Sequence, residues 1–315
     1  MNHDSEMNEA SATDALLLIG FGGPEGPAQV RPFLDRVLQG RPVPRERYEE
    51  VARHYEVFGG YSPYNDLTRR LADAVREALR RQANEIPIAI GMRNTEPYMV
   101  DAIRALMDRG VKRACGFILS AFRCDASWER YQRETAATCE TLGAAAPTIV
   151  YPTPWHTRPQ FIEALADRLR EALAASAPRE RDNAELIFTA HSIPCLMAAA
   201  SPYVEQLRET AALAAAAVGI DHWTLAFQSR SGAPRDPWLE PDVRDVIVAD
   251  ARPKIVMPLG FLSDHVEVLY DLDVEAADAA RAAGVSIRRA GTVGDHPAFV
   301  DLTVEITLES LAGAG

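Results

Sequence analysis

Three acidic residues and one histidine are the side chains of this chain best suited to handle a metal ion. Glu267, Asp271 and Glu275 recur every four residues, so on an α-helix they form one stripe about 12 Å long. Like charges at this spacing destabilise a helix by about 0.2–0.5 kcal/mol per pair. Hard oxygen ligands in a row are typical of a path for a divalent cation. A merely solvated acidic face is the alternative interpretation.

The segment that contains this stripe is acidic throughout. No lysine or arginine lies among its six acids, which are Asp264, Glu267, Asp271, Asp273, Glu275 and Asp278. Ser263 is a good helix N-cap, so we predict one helix over residues 266–283. We expect its acids to be uncompensated by basic partners.

His191 follows directly on an apolar run at residues 185–190, and Pro194 prevents that run from continuing as a strand. Open α/β sheets bind ligands at the carboxyl ends of their strands, which is where this histidine would lie. A neutral imidazole can accept a proton or bind a metal near pH 7. A structural histidine is the alternative.

The elements that must position these residues follow from eight short apolar runs, each of the length of a strand buried on both faces. The runs cover residues 15–21, 86–91, 114–120, 147–151, 185–190, 223–228, 254–259 and 285–289. Helical patterns lie between them, at residues 66–82, 98–109, 127–142, 161–175, 202–218 and 266–283. Such alternation predicts an α/β fold with parallel sheets, in two sets of four strands. The stretch 174–182 is the expected linker.

Composition excludes several classes of protein. The chain has 315 residues, of which 47% are hydrophobic and 25% charged, so it is neither disordered nor membrane-spanning. A formal charge of −12 without a basic tail argues against nucleic-acid binding. The polar residues 1–14 predict a disordered tail and a cytoplasmic protein. The four cysteines form no C-x-x-C pattern and are expected to be reduced.

Two segments near the amino terminus could contact a small anionic ligand. The glycine-rich loop at residues 20–26 fails the dinucleotide pattern, because Glu25 stands where the third glycine is needed. We therefore expect a ligand-lining loop there instead of a nucleotide site. Five arginines follow, and their guanidinium groups suit carboxylates; they are Arg31, Arg36, Arg41, Arg45 and Arg47. A solvated helix face is the alternative for these arginines.

Six segments taken together resemble ferrochelatases, the enzymes that insert ferrous iron into a porphyrin. They are LLLIGFGGPEG, FGGYSP, GMRNTEP, FTAHSIP, FQSRSGAPRDPWLEPD and PLGFLSDHVEVLYDLD, which lie in this order between residues 16 and 273. The first and fifth are most similar to the actinobacterial branch. That branch and the Bacillus branch are associated with coproporphyrin III. The resemblance therefore implies an enzyme of heme biosynthesis that acts on coproporphyrin III.

The resemblance also implies a fold and a set of site residues. The fold is two Rossmann-like domains, at residues 15–155 and 156–295, with the active-site cleft between them and a C-terminal helix at 296–315 that packs on the first domain. His191 and Glu267 correspond to the catalytic and metal-site residues, and Asp271 and Glu275 to a metal-delivery path. The porphyrin contacts implied are Phe21, Arg41, Tyr55, Ser62, Asp125, Ser229 and Trp238.

Two positions depart from the family. Phe21 stands where the Bacillus branch has a tyrosine that could bind iron, so axial ligation from that side is not expected. Asp125 replaces a tyrosine of the actinobacterial branch. Family members with a [2Fe–2S] cluster use cysteines near the carboxyl terminus, whereas the last cysteine here is Cys195, so we predict no cluster.

The expected partners are the porphyrin, ferrous iron and a downstream decarboxylase, with no nucleic acid and no integral membrane segment, and the chain is predicted to be a monomer. Several alternatives stay open. They are insertion of iron into protoporphyrin IX, a cobalt or nickel chelatase, and a non-catalytic tetrapyrrole carrier. Whether His191 accepts a proton or binds the iron is not decided by the sequence.

Overall fold

The computed structural model describes residues 14–40, 43–231 and 236–313 in two compact units. Unit 1 contains the described residues up to Leu119, Arg130–Thr153 and those from Phe299 onward, and unit 2 contains Ser120–Glu129 and Pro154–Ala298. The predicted tail lies, apart from Asp14, outside the described residues. The stretch 174–182, expected to be a linker, lies inside unit 2.

Each unit contains one four-stranded parallel sheet flanked by helices, which confirms the predicted fold class. The strands are β1 (Asp14–Gly20), β2 (Ile88–Met92), β3 (Arg113–Ile118), β4 (Thr148–Val150), β5 (Glu185–His191), β6 (Trp223–Gln228), β7 (Lys254–Met257) and β8 (Ile287–Arg289). Their order is β2-β1-β3-β4 in unit 1 and β6-β5-β7-β8 in unit 2. The two sheets therefore share one topology, and all eight predicted strands are present.

The helices were predicted less completely than the strands. They are α1 (Pro27–Leu38), α2 (Arg45–Val57), α3 (Tyr64–Arg81), α4 (Met99–Asp108), α5 (Arg130–Leu142), α6 (Pro159–Ala174), α7 (Pro178–Arg181), α8 (Cys195–Ala199), α9 (Tyr203–Ala217), α10 (Val243–Val248), α11 (Val266–Val268), α12 (Ala277–Ala283) and α13 (Pro297–Ala312). Two further segments, Asp125–Glu129 and Leu269–Ala276, are π-helical. Neither π-helix was predicted, and the helical patterns did not include α1, α2, α7, α8 or α10.

The core of unit 1 forms around β1, whose residues Leu16, Leu17 and Leu18 are fully buried. A parallel strand covered on both faces by helices needs apolar side chains at every position, which explains the continuous run. Helix α13 packs against β3, where the rings of Phe117 and Phe299 meet edge to face at 6.2 Å.

The core of unit 2 fixes the direction of the acidic segment. Val268, Leu272 and Ala276 recur every four residues and pack with Ile187 and Val256 of the sheet. Each of these three residues follows directly after a member of the stripe predicted from sequence. Burial of this apolar row therefore sets the orientation of the acids that precede it by one position.

The acidic segment is not the single α-helix predicted from the sequence. It is π-helical over Leu269–Ala276, between α11 and α12. Residues four apart are rotated by about 40° around an α-helix. A π-helical turn, with its hydrogen bonds from residue i to i+5, contains more residues and offsets that rotation. The prediction of Ser263 as N-cap is wrong, because α11 begins at Val266 with His265 before it and no side-chain cap.

No helix among the described residues is long and apolar enough to cross a membrane.

Candidate active site

His191 is the last residue of β5 and lies at the carboxyl edge of the unit 2 sheet. Tyr203 donates a hydrogen bond of 3.0 Å to its carbonyl oxygen, and Ser192 N–H donates to the carbonyl oxygen of Gln228 at 2.7 Å. Both bonds fix the backbone at the point where the strand ends. About a third of the His191 side chain is exposed, so a substrate can reach it.

The imidazole of His191 has one nitrogen engaged and one facing a carboxylate. Its Nδ1 lies within hydrogen-bonding distance of the carbonyl oxygen of Ser192. A carbonyl only accepts, so Nδ1 carries the proton and Nε2 of the neutral ring keeps its lone pair. This nitrogen lies 3.9 Å from Oε2 of Glu267. The gap is too long for a hydrogen bond and within the span of two ligands about 2.1 Å from one metal ion.

Asp271 lies in the π-helix, four residues after Glu267, and is held by the last residue of β6 and the residue that follows it. The hydroxyl of Ser229 donates to Oδ2 of Asp271, and the amide Nε2 of Gln228 lies 3.4 Å from the same oxygen. Ser229 has a left-handed backbone with φ of 60°, which is uncommon for a residue other than glycine. A strained residue held at the end of a strand is a frequent feature of functional sites.

The pKa of Asp271 is raised to about 7, chiefly because the carboxyl group is buried. The neighbouring charges of Glu267 and Glu275 act in the same direction, while the Ser229 hydrogen bond and His191 act against it. Near neutral pH, this carboxyl group is therefore divided between its protonated and ionised forms. A carboxylate of this kind can exchange a proton for a divalent cation.

Glu275 ends the row of acids and faces an arginine. Its Oε2 lies 3.6 Å from Nη1 of Arg244, which follows the α10 cap residue Asp242. We call Glu267, Asp271 and Glu275 the acidic row. The three carboxylates lie along one segment, and the member closest to His191 is Glu267.

The remaining acids of the segment have arginine partners, contrary to our expectation that they are uncompensated. Arg289 pairs with Asp264 at 2.9 Å and with Asp273 at 2.7 Å, and Arg281 pairs with Asp278. Arg289 comes from β8, which is distant in sequence from Asp264. The two pairs of Arg289, whose side chain is mostly buried, connect the segment to β8, and all three pairs distinguish these acids from the acidic row.

The acidic row is a series of separate carboxylates and not a closed metal cage. Within residues 14–40, 43–231 and 236–313, no group of three or more histidine, cysteine or acidic side chains is arranged to hold a metal ion. Single carboxylates spaced along a helix suit an ion that moves, because fewer bonds must break at each step than in a cage with six to eight oxygen ligands.

Three predicted porphyrin contacts lie in unit 1, and two of them are buried. Phe21, half-buried, meets Phe33 edge to face at 5.9 Å, and Phe33 meets the buried Tyr55 at 5.5 Å. Ser62 is 2% exposed and packs against Gly23 of the glycine-rich loop. Tyr55 and Ser62 therefore support this loop, and a direct contact of either side chain with a porphyrin stays a prediction.

Two of the five arginines near the amino terminus pair with carboxylates, and a third lies on an aromatic ring. Arg31 pairs with Glu49 at 2.7 Å and Arg47 with Glu50 at 3.0 Å, while Arg36 stacks on the ring of Tyr98. The partner carboxylates belong to α2, whose helical geometry brings them next to arginines that precede them in sequence. Arg41, a predicted porphyrin contact, lies outside the described residues.

The other predicted porphyrin contacts lie in unit 2. Asp125 is exposed at the start of the first π-helix. Trp238 is half-buried and forms a backbone bridge with Pro194, just after His191. Ser192 strengthens this connection by donating its hydroxyl to the carbonyl oxygen of Leu239 at 2.9 Å. The structure therefore brings the loop of Trp238 next to the segment that follows His191.

Two residues that contact the acidic row were missed by the sequence reasoning. Gln228 lies in the quoted segment FQSRSG, and its position at the end of a predicted strand could have drawn attention to it. Arg244 follows a turn, and no pattern in the sequence connects it with Glu275, which is 31 positions later.

Comparisons with known proteins show the family to which this chain belongs. The family model described as Ferrochelatase matches residues 13–311. A protein of Mycolicibacterium smegmatis named coproporphyrin III ferrochelatase is 45% identical over 308 residues, which cover 95% of this chain and 90% of that protein. A Rhodopirellula baltica protein named ferrochelatase is 42% identical over 313 residues, which cover 97% of this chain and 88% of that protein.

A solved structure agrees with the fold. The sirohydrochlorin chelatase of Bacillus subtilis subspecies spizizenii, solved in complex with cobalt, matches with a TM-score of 0.58 at 12% identity and covers 96% of both chains. At that identity, the likeness supports the fold alone. The family match over nearly the whole chain and the relatives above 40% identity decide the assignment. This chain belongs to the ferrochelatase family.

Proposed function

We propose that this protein inserts ferrous iron into coproporphyrin III, with the chemistry at the carboxyl edge of the unit 2 sheet. The observation that carries this proposal is the pair formed by Nε2 of His191 and Oε2 of Glu267, 3.9 Å apart, from which the acidic row continues. The choice of porphyrin rests on the name of the Mycolicibacterium smegmatis relative.

Metallation replaces two pyrrole N–H protons by one Fe²⁺, so the site must supply the ion and remove two protons. In our proposal, Glu267 and Nε2 of His191 hold the arriving ion. When the ion moves to the pyrrole nitrogens, both ligands become free. Nε2 then accepts one proton and the Glu267 carboxylate accepts the other, and the charges balance. The two roles of His191 left open by the sequence thus belong to successive steps.

Asp271 and Glu275 would carry the ion to this pair. Their carboxylates can replace water molecules on hydrated Fe²⁺ one at a time, which lowers the cost of removing the hydration shell in one step. The hydrogen bond from the Ser229 hydroxyl holds the carboxylate of Asp271 in its position within the row. Bending of the porphyrin, which tilts its pyrrole nitrogens out of the ring plane, would draw on binding energy from its periphery.

The test is anaerobic incubation of the protein with Fe²⁺ and either coproporphyrin III or protoporphyrin IX, followed by visible spectra. We expect iron insertion to be faster with coproporphyrin III by at least tenfold in kcat/KM. Faster insertion into protoporphyrin IX would overturn the choice of porphyrin. Binding of porphyrin without insertion of any iron would overturn the enzyme in favour of a carrier.

We also propose that Phe21, Arg41, Tyr55, Ser62, Asp125, Ser229 and Trp238 bind the porphyrin. The cytoplasmic location, the decarboxylase partner, the monomeric state and the lack of a [2Fe–2S] cluster stay predictions. Each is testable independently of the iron-insertion assay.

A further inference from the structure

Arg244 faces the acidic row next to Glu275, the member of the row that is farthest from His191 along the helix. Its Nη1 lies 3.6 Å from Oε2 of Glu275. The charge of Arg244 also acts on Asp271 and Glu275 together, since both carboxylates raise the pKa of its guanidinium. A positive charge therefore lies at the Glu275 end of the row, where a cation would first bind on the proposed delivery path.

The guanidinium is held in this place by a different carboxylate. Nε and Nη2 of Arg244 bind the two oxygens of Asp242 at 3.0 and 2.9 Å, in a bidentate pair. This pairing uses one edge of the guanidinium fork and directs the remaining nitrogen, Nη1, toward Glu275. Asp242 itself caps α10 by accepting a bond from the backbone N–H of Arg244, so its position is also fixed.

The contact with Glu275 is weak enough to be replaced. At 3.6 Å it is longer than a hydrogen bond, and both side chains are between a third and a half exposed. Half-exposed ion pairs of this kind contribute little to stability. A divalent cation can therefore take Glu275 from Arg244, but it must do so against the repulsion of a guanidinium that Asp242 keeps nearby.

We propose that Arg244 competes with ferrous iron for Glu275 and thereby sets the iron concentration at which the acidic row is loaded. This inference rests on the proposed function, in which the row delivers Fe²⁺. Arg244 acts through Glu275 and not on the porphyrin, so it is a positioning residue. Its removal should favour iron entry without changing the chemistry at His191.

The first experiment compares R244Q with the wild-type protein in an anaerobic iron-insertion assay. We expect the KM for Fe²⁺ to fall about fivefold, the size that a half-exposed ion pair allows. The effect should fall on that KM rather than on kcat or on the KM for the porphyrin. R244K, which keeps the positive charge, should restore most of the wild-type KM.

R281Q is the matched control, because it removes the same charge from α12, where Arg281 pairs with Asp278 outside the row. We expect R281Q to leave the KM for Fe²⁺ unchanged. An equal fall in both variants would overturn the proposal, since net charge alone would then explain it. An unchanged KM in R244Q would also overturn it.

A second experiment uses Mn²⁺ alone, with the free ion measured by electron paramagnetic resonance and no porphyrin present. R244Q should bind Mn²⁺ about fivefold more tightly than the wild type, and this gain should disappear in an E275Q background. A gain that persists in E275Q would contradict competition for Glu275. If the wild type inserts no iron at all, the proposed function fails, whereas the Mn²⁺ titration still decides the role of Arg244.

Discussion

The sheets of units 1 and 2 have the same topology, and each has an equivalent ion pair where its strands begin. They differ at the edge where the strands end. Strands β1 and β5 are both central and seven residues long. Each begins with an acid paired to a base that begins the third strand: Asp14 with Arg113, and Glu185 with Lys254. Both pairs are also register partners. The same solution therefore fastens the amino edge of each sheet.

At the carboxyl edge the two strands end differently. β1 ends with Gly20, and the loop that follows needs glycine, since Gly22 has φ of +83° and a Cβ at Gly23 would lie 2.6 Å from Ser62. β5 ends with His191, which faces Glu267. The same topology thus positions a packed glycine-rich loop in unit 1 and the candidate catalytic pair in unit 2. The candidate site of unit 2 therefore depends on the residue at the strand end and on the helix that faces it.

The largest effect is expected from His191→Ala. Loss of the proposed proton acceptor and metal ligand should lower kcat for iron insertion by about 10²–10⁴-fold. Porphyrin binding, measured by fluorescence quenching, should persist. His222→Ala, at an exposed histidine in the same unit, is the control and should behave like the wild type. Turnover of His191→Ala within tenfold of the wild type would remove His191 from the mechanism.

The shared ion pairs should affect stability and not chemistry. The Lys254 side chain is fully buried, with its Nζ 2.7 Å from both Glu185 and Asp250. Lys254→Met leaves both carboxylates with Arg252 as a remaining basic partner, and should lower the free energy of unfolding by about 2 kcal/mol. Denaturant unfolding measures this, with Lys112→Met at an exposed lysine as control.

The equivalent change in unit 1 tests whether the two ion pairs contribute differently to stability. Arg113 is a third exposed and pairs with Asp14, whereas Lys254 is fully buried, so Arg113→Met should destabilise less than Lys254→Met. A larger loss of unfolding free energy in Arg113→Met would contradict the expectation that the more exposed of the two ion pairs contributes less to stability.

A smaller effect is expected from the combined change Asp271→Ala and Glu275→Ala. It should raise the KM for Fe²⁺ about tenfold, because two delivery ligands are lost, each of modest affinity. The KM for the porphyrin should change less than twofold in the same anaerobic assay. An unchanged iron dependence would refute the delivery path and leave Glu267 and His191 as the whole metal site.

The pH dependence should show the smallest effect. The raised pKa of Asp271, about 7, means that the carboxyl group is mostly protonated at pH 6 and mostly ionised at pH 8. A metal binds the ionised form, so the affinity of the row for Mn²⁺ should rise with pH, by about tenfold at most over this range. Asp271→Asn should flatten the rise. A rise of equal size in that variant would assign the titration to another group.

Much of the fold and part of the site could be predicted from the sequence. Strands buried on both faces produce continuous apolar runs, as Leu16–Leu18 of β1 illustrate, and this signal is local. The position of His191 at a strand end follows from the same signal and from Pro194. The acids of the row were recognised because like charges four residues apart are unfavourable in a helix.

What the sequence did not predict depends on pairs that are distant along the chain. Arg289 neutralises Asp264 and Asp273 from another strand, and Arg244 faces Glu275 from another helix. Spacing within a segment carries no information about such partners. The π-helix at Leu269–Ala276 depends in the same way on burial of its apolar row against the sheet. Its residue types are those of an ordinary α-helix.

The proposed metal position between Glu267 and His191 is tested most directly by locating a bound iron ion. Crystals soaked anaerobically with Fe²⁺ would be measured at the iron absorption edge, and an anomalous difference map would be calculated. We predict the strongest peak within about 2.5 Å of both Oε2 of Glu267 and Nε2 of His191, in unit 2. A strongest peak in unit 1, or on the acids paired with Arg289, would contradict the account.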